Sequence, residues 1–313
     1  MLPAVADQAA SASGTSASGT SAPGTGTPAA QVGDSGPETV PIRPLTWREL
    51  ADLPFAVLQR QIRLLAAFAG LGFASAVAAV LAVTALTSLA TGGASAPDAW
   101  AAVLTTVVCV WLLRWWTTGV TVTIGLAVVN RQPIGARAVL GRLRAVLPPL
   151  VAHQLVVTGT GLGLLILGSP LIITLIPALI LLARLRGQRW TVPSVLVGES
   201  APYAGAVLRA KLLSTGREMP LAGLWIALRL VPALFIAPIA GLAMLLSDIS
   251  GTHRWAVTGL LCGVALLLAT CAAAVEAAAG VVVYIDRRCR REGLDIRIPG
   301  GFRGSGGFQG VGR

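Results

Sequence analysis

The sequence predicts an all-α integral membrane protein, a bundle of six transmembrane helices with both termini cytoplasmic. Three observations carry that expectation. Of the 313 residues, 55% are hydrophobic and only 12% charged, against about 25% charge in an ordinary soluble domain. Several apolar runs reach the roughly 20 residues that cross a bilayer as a helix. The basic residues are also unevenly placed. Of the 24, 21 fall on alternate connections and at the two ends of the membrane domain, while only Arg254 falls on the opposite connections. An excess of arginine and lysine marks the cytoplasmic side.

The net charge of +11 raises nucleic acid as a partner. The charge is spread over short connections between apolar runs, however, which topology explains and a nucleic-acid footprint does not. Lys211 is the one lysine among the 24 basic residues, a bias that points to GC-rich coding and a bacterial source. Cys109, Cys262, Cys271 and Cys289 show no CxxC or Cys/His spacing. They read as small apolar residues in packed helices rather than as a disulfide framework or a zinc site.

Residues 1–42 are a low-complexity Ala/Ser/Gly/Thr/Pro-rich tail, with SASGT, SASGT and SAPGT in succession. Such a tract buries too little apolar surface to offset chain entropy, so a disordered tether is expected. It shows neither the basic n-region nor the apolar h-region of a signal peptide. The membrane domain is expected over residues 43–298. Thr46 and Glu49 form a T-x-x-E capping box. The helix they start, with Trp47, Phe55, Arg48 and Arg60, reads either as an interfacial helix or as a simple juxtamembrane linker.

Six spans follow, at about 64–90, 100–129, 146–167, 171–189, 220–246 and 255–285. Residues 130–144 read as a basic loop, and Gly168-Ser169-Pro170 as a tight turn. The fourth span has the least defined inner end, because Arg184, Arg186 and Arg189 interrupt it. Between the fourth and fifth spans, Ser200 and Pro202 look like N-cap and N1 of a short cytoplasmic helix reaching Ser214. Pro232 and Pro238 are expected kinks in the fifth span. Trp100 and Trp255 mark the outer interface, Trp47 and Trp190 the inner one. After the last span come a basic segment, Arg287 to Arg291, and a Gly-rich tip expected to be disordered, residues 299–313.

Three segments carry a resemblance. RPLTWRELADLPFAVLQRQIRLLAAF (43–68), WTVPSVLVGESAPYAGAVLRAKLLSTG (190–216) and YIDRRCRREGLDIRI (284–298) resemble the membrane domain of the glycerophosphoryl diester phosphodiesterase membrane-domain family. Pro193, Glu199, Arg209 and Gly216 occupy matching places in the second segment. Over about 43–298 the resemblance implies six helices and a multi-pass protein of the bacterial cytoplasmic membrane. It implies no catalytic residues, since the phosphodiesterase chemistry of some members belongs to a separate soluble barrel, of which this sequence holds no segment.

Charges at membrane depth are costly and therefore mark candidate sites. Three stand out: Arg114 in the second span, Arg229 in the fifth and Glu276 in the sixth. At ~1.5 Å per residue, Arg229 and Glu276 lie at matched depth, each roughly 15 Å from its cytoplasmic end. An interhelical ion pair that fixes packing is one reading. The other notes two arginines against one glutamate, so that an anionic lipid headgroup or solute would take the spare positive charge. Arg184 and Arg186 either join this cluster or snorkel to the interface.

His153 and Gln154 suit a helix–helix hydrogen bond, and His253 a solvated loop. Thr158 to Gly163 contains GxG, but inside a span it serves helix packing rather than phosphate binding. The basic tail attracts anionic lipids, and the tip (Phe302, Arg303, Phe308) offers a weak RGG-like motif. No Ser/His/Asp set and no metal set can be assembled. The expectation is therefore a non-enzymatic protein without cofactor or metal. It acts as an accessory or scaffold subunit through membrane lipids or protein partners at Trp190–Arg217 and the tail. The alternative is a transporter or lipid-handling protein using Arg114, Arg229 and Glu276.

Overall fold

Thr46 starts the first helix in the manner its spacing predicts. The Glu49 N–H donates to Thr46 Oγ1, and the Thr46 N–H donates back to the Glu49 carboxylate at 2.8 Å. A computed structural model describes residues 45–169, 172–250 and 254–292. Expectations for residues 1–42, for His253 and for residues 299–313 lie outside these. The described residues are all-helical, with α1 (Trp47–Arg60), α2 (Ile62–Thr91), α3 (Ser95–Val129), α4 (Ala136–Gly168), α5 (Ile172–Arg189), α6 (Val192–Glu199), α7 (Tyr203–Ser214), α8 (Glu218–Ser250) and α9 (Arg254–Glu292).

Five helices are long and apolar enough to cross a membrane, over Ile62–Thr91, Ala96–Val129, Ala136–Gly168, Glu218–Phe235 and Val257–Glu292. Their outward residues include Leu71, Leu89, Leu167 and Leu234, all exposed. A monomer in water rarely shows so large an apolar surface, whereas a bilayer solvates it. The expected fourth span is α5, which does not join the five. It has 18 residues, about 27 Å against a hydrocarbon core of about 30 Å. Arg184, Arg186 and Arg189 also fall in its last six positions.

At the centre α3 packs on α2 and α9, while α9 also meets α1 and α8, and α5 packs on α4 and α8. The densest core surrounds the last third of α9. Val281, Val282 and Val283 are fully buried there against Val120 and Val122 of α3, Val192 and Val195 of α6, and Ala206 and Ala210 of α7. The start of α1 closes the same end. The Leu45 N–H donates to buried Asp286 at 2.8 Å, and Arg290 donates to the Leu45 carbonyl oxygen at 2.6 Å.

The helices overrun the expected boundaries at this basic end. Arg137, Arg142 and Arg144 belong to the first turns of α4 rather than to a loop. Arg287 to Arg291 continue α9 rather than forming a tail, and Arg287 is buried. Ser200 is not an N-cap but the left-handed end of α6, at φ 50°, and Pro202 caps α7 instead. No helix is expected from the sequence at 192–199, where α6 carries Pro193 in its first turn. At the first positions of a helix, however, the missing proline N–H costs nothing.

Candidate functional site

The three charges converge. Arg114 Nη2 donates to Glu276 Oε1 at 2.7 Å, and Arg229 Nη2 donates to Oε2 at 2.8 Å. One carboxylate thus ties α3, α8 and α9 together, an oxygen to each arginine. Trp225 Nε1 donates to Oε1 as well, at 2.8 Å. Trp190 Nε1 donates to the backbone carbonyl oxygen of Glu276 at 3.1 Å. Glu276 is buried, and a buried carboxylate is tolerable only with such compensation. The Arg229 guanidinium also stands 4.7 Å from the Trp225 ring centroid, and the Arg186 guanidinium 5.8 Å from it.

Arg184 and Arg186 part company. Arg184 turns out of α5 to pair with Glu218. Arg186 turns inward and donates to the Val157 carbonyl oxygen at 3.0 Å. Two glycines make room for that. A Cβ at Gly187 would stand 2.7 Å from the Glu218 carbonyl oxygen, so α5 and α8 meet backbone to backbone. A Cβ at Gly161 would stand 3.1 Å from Arg186 Nη2. Of the Gly-rich stretch of α4 only Gly161 is packed, Gly159 and Gly163 being exposed with open space around them, and Thr158 accepts from Trp111 Nε1 at 3.0 Å.

Beside the triad lies a cavity of about 50 Å³. A water needs on the order of 10–15 Å³ of such free volume, so there is room for a few waters or one tetrahedral anion. Arg114, Arg186, Arg189 and Glu276 bring charge to its wall, and His153, Gln154 and Ser194 bring neutral polar groups. Three atoms of these residues, His153 Nδ1, Arg189 Nη1 and Ser194 Oγ, are buried without a hydrogen-bond partner. Buried polar groups are normally satisfied, and each exception needs an explanation such as a water or an ion. On the other side of the triad a groove of about 300 Å³ between α8 and α9 also reaches Arg114, Arg229 and Glu276. A larger cavity of about 360 Å³, near the α2–α3 turn, carries Asp98 but no converging charges. Among the described residues no three His, Cys, Asp or Glu side chains could hold a metal ion together.

Arg114, Arg229 and Glu276 thus come together as the sequence places them. Trp225 escapes sequence reading, although it stands four residues before Arg229 on the same face of α8, a readable signal. Arg189, Trp190 and Ser194 carry no such signal, because their placement depends on α6.

Fold and site define a class, a multi-pass helical membrane protein with a buried arginine–glutamate centre. No protein-family model, no curated protein and no solved structure matches the chain.

Proposed function

We propose that this protein binds a phosphate-type anion in the arginine cavity, as a non-catalytic lipid-handling or transport protein of a bacterial cytoplasmic membrane. One observation carries the reading. Glu276 pairs with both Arg114 and Arg229, two positive charges to one negative, while Arg186 and Arg189 line the cavity beside them with no carboxylate partner among the described residues. The spare positive charge sits there, and guanidinium groups match phosphate oxygens in bidentate geometry. A ligand that binds only the folded protein stabilises it by about 2.7 kcal/mol at a hundred times its dissociation constant. Inorganic phosphate should therefore raise the thermal midpoint of the detergent-purified protein. Chloride at matched ionic strength should not, and Arg189→Gln should abolish the shift. A wild-type protein insensitive to phosphate overturns the reading.

The topology belongs to the same proposal: six spans with both ends of the membrane domain cytoplasmic. Parity supports it. The contacts of Leu45 with Asp286 and Arg290 put the start of α1 beside the end of α9. Two ends on one side require an even number of crossings, so α5 makes the sixth, its arginines snorkelling to the basic face. The three resembling segments support placing the chain in the glycerophosphoryl diester phosphodiesterase membrane-domain family. A second reading, an accessory or scaffold subunit, is favoured by α7, which exposes Leu208 and Leu212 one turn apart.

A further inference from the structure

We propose that the ligand is an anionic glycerophospholipid, its phosphate on Arg114, Arg186 and Arg189 in the cavity and one acyl chain in the groove between α8 and α9. This rests on the anion-binding reading and adds the ligand's apolar half.

The two spaces lie on opposite axial sides of one layer of charge. On α3 the groove takes Val110, four residues before Arg114, and the cavity takes Thr118, four residues after it. On α9 the groove takes residues preceding Glu276, and the cavity takes Ala277 and Gly280 beyond it. The groove is apolar apart from the triad itself. Ala265, Leu268, Ala269, Ala272 and Ala273 face it from α9, at i, i+3, i+4, i+7 and i+8. Glu276 closes that stripe after eleven residues, roughly 16 Å along the helix. Four of the five are alanine, so short side chains line the groove on that side.

Phosphate, ester and chain follow one another in a phospholipid in the same order as cavity, charge layer and groove. At the charge layer the Arg229 side chain is 40% exposed, and its Nε is buried without a partner. That Nε–H is a donor at the level of an ester carbonyl. The cavity points independently to an anion. His153 and Ser194 are each more than nine-tenths buried, with 8% and 1% exposure, and both present unpartnered polar atoms. The two spaces share Arg114 and Glu276 in their lining, so a ligand that occupies both takes the place of the Arg114–Glu276 contact through a rotamer change. A free phosphate uses the cavity alone and leaves the groove without an occupant.

The test uses the full chain in phosphatidylcholine nanodiscs containing a little phosphatidic acid, with a diazirine midway along one acyl chain. Photocrosslinks should concentrate on Leu268, Ala272 and Pro232, read by peptide mass spectrometry. Unlabelled phosphatidic acid should compete, and diacylglycerol with the same chains should not. Arg189→Gln should lower the yield about tenfold, the loss expected with one charge-assisted contact. Ala269→Phe fills the groove without touching a charge. It should abolish the crosslink and leave the phosphate-dependent thermal shift intact. Crosslinks spread evenly over the outer faces of α2 and α4 in the wild-type protein overturn the proposal. Phosphate stabilisation without a groove crosslink overturns the lipid ligand and leaves the anion site standing, whereas loss of both removes the two readings together.

Discussion

Glu276 accepts from three side chains, so deleting it and deleting one of its donors are different events. Glu276→Gln leaves Arg114 and Arg229 without a counter-charge on α3 and α8. Arg229→Gln leaves the carboxylate still held by Arg114 and Trp225. Removing one partner of a buried pair costs about 3–5 kcal/mol, and the half-exposed Arg229 belongs below that range. At about 2–4 °C per kcal/mol for a domain of this size, Glu276→Gln should lower the thermal midpoint by on the order of 10 °C. Arg229→Gln should lower it by less than half as much. Equal losses in a thermal melt of the two purified variants would show that the carboxylate does not organise the cluster. The three charges were legible in the sequence because a charge in an apolar run has few structural explanations. The count of two arginines against one glutamate stands: each guanidinium takes one carboxylate oxygen, yet one positive charge is left over in the triad. The cavity adds two more, on Arg186 and Arg189. At the end of α5 those two are indistinguishable in sequence from snorkelling anchors.

Element boundaries follow the same division. Long apolar helices declare themselves, and so does the α1 start, where the Thr46–Glu49 box is a local signal needing no tertiary context. The basic end of the molecule does not. There α4 and α9 run on past the apolar stretch, and α6 and α7 pack around Val281 to Tyr284 through contacts remote in sequence. Tyr284 donates to Glu199 at 2.8 Å, and Arg209 of α7 pairs with Glu199 and Glu292. These bonds hold α7 with Leu208 and Leu212 turned outward. If that face docks a partner protein, Leu208→Ser with Leu212→Ser should leave stability within about 0.5 kcal/mol, as surface substitutions do. The same change should remove a discrete adduct that a photoreactive residue at Val207 forms in native membranes. An adduct pattern identical in wild type and variant would set aside the scaffold role.

The uneven partition of basic residues is a whole-molecule property readable without any structure, yet it does not say whether α5 crosses. In the proposed six-span topology the contacts of Leu45 with Asp286 and Arg290 join two ends on one side, and the arginines of α4, α5 and α9 share one face; five crossings would put the end of α9 opposite the start of α2. Three exposed positions separate the cases: Ala94 between α2 and α3, Gln132 between α3 and α4, and Arg291 at the end of α9. Single cysteines there can be probed with a membrane-impermeant maleimide on intact cells and on opened membranes. Cys109 and Cys289 are buried, so the background to subtract comes mainly from Cys271, which is exposed on α9. Ala94→Cys should label on intact cells, and Gln132→Cys and Arg291→Cys only after opening. The diagnostic position is Arg291. Its labelling on intact cells, with Gln132 protected, would mean that α5 turns back without crossing. The basic ends of α5 and α9 would then lie together on the outer face, across the membrane from Gln132 and the start of α2, against the contacts of Leu45 with Asp286 and Arg290.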